Sequence, residues 1–169
     1  MFIIRGGNNM LLSFIQLLIL LVLVVITLAV GVIFIPKIAF FSAPQDIKEI
    51  MLAREDYPKW KTILGIILVL ILFLLILGIL IWAGANAKNN NYNFSMIFIR
   101  YLILLEGYKI FDMICLDYIL LTKLNIFQKM FPETIGCKGY DSYGFNLKSQ
   151  ITKIFIFAII SLIIAFILS

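Results

Sequence analysis

Four stretches of this chain stay apolar for the length of a membrane crossing: Leu11 to Ile35, Thr62 to Gly84, Met96 to Leu121 and Ile151 to Leu168. About 20 apolar residues suffice to cross a hydrocarbon core of about 30 Å at about 1.5 Å per residue. The spacing therefore predicts an all-α membrane protein. It is expected to be a single transmembrane domain, residues 1–169, forming a four-transmembrane-helix bundle with spans at 11–35, 62–84, 96–121 and 151–168 and a Gly/aromatic-rich cytoplasmic loop before the last helix. Hydrophobic residues make up 63% of the chain and charged residues 14%. Soluble chains run at about 45–50% and about 25%, so lipid is the solvent that takes the excess. Richness in Ile, Phe, Lys and Asn resembles the composition of proteins from AT-rich bacterial genomes.

Only Ser13, Gln16 and Thr27 interrupt the first run with polar side chains. The run exceeds the roughly 7–15 apolar residues of a signal-peptide core, so it reads as a retained span, ended by Pro36. Ser13 and Gln16 read as interhelical hydrogen-bond donors. In the connection that follows, Ser42 and Pro44 suit a helix start, and Asp46 and Glu49 suit the positive end of its dipole. Ile47, Ile50 and Met51 share one face. That segment is expected either to lie on the membrane surface as an amphipathic helix ending before Pro58 or to be a solvated connector. The second run carries no charge, with Trp60 and Trp82 placed as interfacial aromatics. Asn93-Phe94-Ser95 in the asparagine-rich turn matches a glycosylation sequon and is assigned no role. The longest connection, 122–150, contains Pro132, Gly136, Gly139 and Gly144 interleaved with Phe127, Phe131, Tyr140, Tyr143 and Phe145. Such punctuation predicts an ordered, turn-rich loop rather than a helix.

The net charge of +5 does not point to nucleic acid. The basic residues flank apolar runs, and no basic stripe interleaved with aromatics accompanies them. Four spans put Lys37, Lys48, Arg54, Lys59, Lys61, Lys123, Lys129, Lys138, Lys148 and Lys153 on one side. Arg5 and Lys88, with Arg100 if it snorkels outward, fall on the other. Positive residues favour the cytoplasmic side, so loops 36–61 and 122–150 are expected in the cytoplasm and both termini outside, in a multi-pass protein of the cell membrane. The partners expected are the lipid bilayer and other membrane helices in a homo- or hetero-oligomer, with no nucleic acid.

The third run is unlike the others because it holds Arg100, Glu106, Lys109, Asp112 and Asp117, the candidate intramembrane polar site. Glu106, Lys109 and Asp112 near the centre would cost roughly 7–10 kcal/mol, while the Leu, Ile and Phe residues between Ile97 and Leu121 return roughly 4–8 kcal/mol. A helix of this kind needs its charges sheltered. At about 100° per residue Asp112, Lys109, Glu106 and Asp117 share an arc of about 140°, and Lys109 has a carboxylate three residues away on each side. Four readings stay open: an ion-paired seam between helices, a pathway for a cation, proton or small polar solute, a catalytic carboxylate site, or a surface helix that leaves only three spans.

The candidate loop site is Glu133, Cys137 and Asp141. The thiol beside Lys138 could be activated, or the two acids could hold a divalent cation. With no histidine in the chain there is no imidazole base, relay or ligand, and a free loop cysteine is the simpler expectation. No catalytic residue, metal or cofactor is assigned.

Leu116-Asp117-Tyr118-Ile119-Leu120-Leu121, then Phe131-Pro132-Glu133-Thr134 and Gly139-Tyr140-Asp141-Ser142-Tyr143-Gly144-Phe145-Asn146, resembles a pattern in a family of small multi-spanning bacterial membrane proteins without an assigned activity. The resemblance covers the C-terminal half. It implies that Asp117 and the loop act as a unit at the cytoplasmic interface, and nothing about chemistry. The function expected is a structural or accessory subunit of a membrane assembly. A transporter or channel working through the third helix is the alternative, and a lipid-modifying enzyme using Asp112, Asp117 or Glu133 the second alternative.

Overall fold

A computed structural model describes residues 2–41, 43–141 and 147–169, with side chains from Met10 onward except those of 147 and 148. Ser42, expected above to cap a helix, residues 142–146 of the aromatic loop, and the side chains of Arg5 and Lys148 lie outside the described residues. In order, the elements are α1 (Phe2–Phe34), α2 (Pro36–Ala39), α3 (Gln45–Ala53), α4 (Lys59–Asn89), α5 (Phe94–Phe111), a π-helix (Asp112–Lys123), α6 (Ile126–Met130), 3₁₀ turns at Pro132–Thr134 and Lys138–Tyr140, and α7 (Leu147–Leu168). No strand occurs among the described residues.

Among the described residues, three stretches are long and apolar enough to cross a membrane: Met10–Phe34, Lys59–Asn89 and Ser149–Leu168. They are the first, second and last runs of the sequence. The third run is not among them. Its charges lower its apolarity, and it is divided between α5 and a π-helix in which each N–H reaches one residue further back than in an α-helix.

The breaks follow local chemistry. Pro36 cannot donate to the preceding turn and disfavours helical backbone at Ile35, so α1 stops at Phe34 and Pro36 opens α2. The asparagine-rich stretch is a paired stop and start. Asn91 adopts left-handed backbone at φ 51°, which asparagine tolerates. The N–H of Tyr92 reaches the Ala87 carbonyl at 3.0 Å and that of Asn91 reaches Lys88 at 3.1 Å, the two bonds that close a helix with a left-handed residue just past its end. Asn93 then accepts the Met96 N–H on Oδ1 at 3.0 Å and caps α5.

The chain divides into two compact units. The first comprises Met1–Val24, Leu74–Phe111 and Ser149–Ser169. Its core is Ala83, Ala87, Ile97, Tyr101, Leu104 and Ala165, with Leu17, Leu80 and Ile164 packed around it. Small residues let the helices approach: a Cβ on Gly84 would lie 2.8 Å from the Tyr101 hydroxyl, which donates to the Leu80 carbonyl at 2.7 Å. Tyr101 meets Leu80 while Ile97 packs with Ala87, so α5 runs antiparallel to α4. The Tyr108 and Phe157 rings lie 6.2 Å apart and Ala165 joins the core around Tyr101, so α7 is also antiparallel to α5.

The second unit comprises Val25–Phe73 and Asp112–Lys148. Within it, residues 36–58 and 124–141 fold on each other as a cap. Phe40, Ile47 and Met51 from the first segment and Phe127, Phe131 and Tyr140 from the second form one core with Val32. Phe40 meets Phe127 and Phe131 edge-on at 5.2 and 5.3 Å, a favoured aromatic geometry. The apolar face of α3 is therefore neither laid on the membrane nor left in water. Ile47 and Met51, one turn apart, are fully buried in this core, at about 1.5–3 kcal/mol for each side chain removed from water. The turn Thr134-Ile135-Gly136-Cys137 closes through the Cys137 N–H to the Thr134 carbonyl at 3.2 Å, with Gly136 at φ 91°, where a side chain would be strained.

Candidate functional site

The polar residues of the third run separate into two groups. On an α-helix Arg100 and Lys109 project about 180° apart, and both are buried, each 2% exposed. Arg100, which the sequence would count with the outer charges only if it snorkelled, is instead buried within the protein. It donates through Nη2 to Gln16 Oε1 of α1 at 2.7 Å, and its guanidinium carbon lies 5.8 Å from the Tyr92 ring centre. Gln16, 0% exposed, is an acceptor in this bond, whereas the sequence suggested a donor. A guanidinium offers only donors, so it orients the amide oxygen toward itself.

Arg100 Nε and Nη1 and Gln16 Nε2 are buried and find no acceptor among the described residues. Next to this pair, Gly107 admits Leu17. A Cβ there would fall 2.6 Å from Leu17 Cδ2, so glycine keeps α1 and α5 close around the buried polar bond.

Glu106 and Lys109 occupy the other side of α5, and Asp112 and Asp117 lie on the π-helix. Lys109, Asp112 and Asp117 each engage a neighbouring group, and both aspartates are half-buried. Glu106 is half-buried, and its Oε1 finds no hydrogen-bond partner among the described residues. From Asp112 onward the helix is a π-helix, so the 100° step of a regular α-helix does not apply between Asp112 and Asp117.

The loop candidates have different surroundings. Glu133 is tied to Arg54 in a hydrogen-bonded ion pair, and the Arg54 guanidinium lies 5.1 Å from the Phe131 ring. Asp141 is exposed. Cys137 is a free thiol packed against the cap core, and burial, then the nearby Asp46 carboxylate, push its thiol above the ordinary value. This is the opposite of an activated thiolate. Among the described residues no three Cys, Asp or Glu side chains gather as a metal site.

The acid that organises the loop is Asp46, which sequence reasoning assigned only to a helix dipole. Its Oδ1 accepts the Ile47 N–H and its Oδ2 the Gly139 N–H, both at 2.9 Å. Gly139 is required there, since a Cβ would meet Pro44 Cβ at 2.5 Å and Asp46 Oδ1 at 2.6 Å. Tyr140, fully buried, bonds Thr134 at 2.9 Å, and Thr134 donates to the Phe131 carbonyl at 2.7 Å. Burial raises the Tyr140 phenol above its usual range, against the opposing effect of the Thr134 bond.

No protein-family model, curated protein or solved structure matches this chain. The chemistry of the residues is what bears on function.

Proposed function

We propose that the chain is a four-span integral membrane protein serving as a structural or accessory subunit of a membrane assembly, with the cap in the cytoplasm and the termini outside. The observation that carries the topology is the cap itself. Its core takes side chains from both long connections, so both belong on one membrane face. The chain leaves that face along α4, which at 31 residues is about 46 Å long, and is back in the cap by Phe127. On this reading residues 94–123 make the return crossing, even though they are the least apolar of the four runs. The basic residues of the two connections favour the inside for that face.

The subunit reading rests on how the apolar and polar groups are used. Only 11% of the most apolar stretch of α4 and 11% of that of α7 is buried inside the protein, which leaves most of their surface for lipid or further helices. Arg54, Glu133 and Asp46 hold the cap together rather than facing a ligand. The test is the protein mass of the particle in mild detergent. Assembly requires more than 19.3 kDa, reduced toward that value by Lys109→Leu. A monodisperse 19.3 kDa species from native membranes refutes it.

Glu106 favours a second reading, transport of a cation, proton or small polar solute. A half-buried carboxyl with an unpartnered oxygen is the kind of intramembrane group that marks such a path. Flux in proteoliposomes that Glu106→Gln abolishes supports it, and unchanged flux in that variant removes Glu106 as the carrier.

A further inference from the structure

We propose that Arg100 and Gln16 form a binding site for a small monovalent anion, a halide or a carboxylate, within the first unit. The pair is almost wholly inaccessible, Arg100 at 2% and Gln16 at 0% exposed. Its hydrogen-bonding inventory is one-sided. Gln16 Oε1 is taken by Arg100 Nη2, and the amide is held in that orientation because turning it over would set an N–H₂ group against a guanidinium. What remains is Arg100 Nε, Arg100 Nη1 and Gln16 Nε2, three buried donor nitrogens without an acceptor among the described residues.

The charge is one-sided too. The first unit contains one acidic side chain, Glu106, against Arg5, Lys88, Arg100, Lys109 and Lys153. Glu106 is six residues along α5 from Arg100, about 9 Å along the axis and about 120° round it, and Arg100 makes no ion pair among the described residues. Tyr92 adds its ring face at 5.8 Å and a hydroxyl that interacts with the guanidinium, but no negative charge. An uncompensated buried cation is costly, and each buried donor left unmatched adds to that cost. A single anion with several lone pairs answers both needs. Monovalency matches the single positive charge, and a dianion would leave the site negative by the same amount. Apolar neighbours, Ile97, Leu104 and Leu20, are buried on the same two helices, which suits a small ion over a bulky one. The inference concerns Arg100 and Gln16 alone and does not depend on the assembly reading.

The experiment is thermal unfolding of the full chain in nanodiscs of zwitterionic lipid, at constant ionic strength, with chloride or formate replacing gluconate. The expected result is a saturable rise in Tm with chloride, formate or both and none with gluconate. Chloride alone assigns a halide site, and formate alone a carboxylate site. Arg100→Gln removes the charge and should abolish the response. Gln16→Glu places a carboxylate against the guanidinium, so it should raise Tm in gluconate and abolish the response to added anion, which keeps the test decisive if Arg100→Gln does not fold. A wild-type Tm that is the same in all three salts overturns the proposal. So does an anion response that survives in Gln16→Glu.

Discussion

Gly65 and Gly78 both lie inside α4, and the structure assigns opposite consequences to the same substitution at each. A Cβ at Gly65 would fall 2.5 Å from Phe34 Cβ and 3.0 Å from Ile35 Cγ2, while a Cβ at Gly78 meets nothing within 4 Å. Phe34 Cβ is fixed to its own backbone, so no rotamer change relieves the clash, and the chain near the end of α1 has to move from α4. Overpacking of this kind costs about 1–3 kcal/mol. Replacing a mid-helix glycine with alanine also returns roughly 0.5–1 kcal/mol of backbone entropy and helix preference. That gain is common to both variants, so Gly65→Ala minus Gly78→Ala isolates the packing cost. Gly78→Ala is expected to be neutral or more stable than wild type, and Gly65→Ala less stable than Gly78→Ala by about 1–3 kcal/mol. Reversible unfolding in SDS-containing mixed micelles, followed by helical circular dichroism, measures the difference. If Gly65→Ala proves as stable as Gly78→Ala, the close approach of α4 to Phe34 is wrong, and so is the register by which α4 leaves the cap.

Asp46→Ala leaves the Ile47 and Gly139 N–H groups without their carboxylate, at about 1.5–3 kcal/mol for each bond to a charged group; hydrogen exchange should accelerate in peptides covering 126–141 and stay unchanged in 74–89. Tyr140→Phe removes the bond to Thr134, while Thr134 keeps the Phe131 carbonyl, so unfolding free energy should fall by about 0.5–1.5 kcal/mol, and a larger loss would show that the hydroxyl has a further partner. Cys137, with its thiol pushed up by burial and Asp46, has less thiolate than a free cysteine at any pH near neutrality. Maleimide should label it slowly, faster as pH rises, and only after permeabilisation of cells; rapid labelling by an impermeant reagent from outside would reverse the orientation.

The three long apolar helices could be read from the sequence because lipid imposes a length and an apolarity that few other environments require. Their stops could be read where backbone chemistry dictates them, as at Pro36. The cap could not. Ile47 and Met51 show the pattern of an amphipathic helix, which says that one face is apolar but not what covers it. The cover, Phe127, Phe131 and Tyr140, lies some 80 residues on. The partner of Arg100 was hidden for the same reason: Gln16 and Arg100 are 84 residues apart. The one hint was that Ser13, Gln16 and Leu20, at helical spacing in an otherwise lipid-like run, fall on one face, and all three are buried. The π-helix left no mark in the sequence, since i→i+4 and i→i+5 turns differ in packing rather than in residue type.

On the four-span reading, the charged third run is the segment that makes the helices specific to one another. In hydrocarbon, apolar side chains gain little from leaving lipid for a neighbouring helix, so close packing and polar contacts have to select the partners. The apolar surfaces of α1, α4 and α7 supply little of that selection. α5 supplies it at several points: Arg100 to Gln16, Tyr101 to the Leu80 carbonyl, and Gly107 beneath Leu17. The first and third of these bind α5 to α1 and the second binds it to α4. Glu106, Lys109 and Asp112 would disfavour the same segment as an isolated span by more than its Leu, Ile and Phe residues return. Its insertion therefore depends on α1 and α4 being in place first, the order in which the chain presents them.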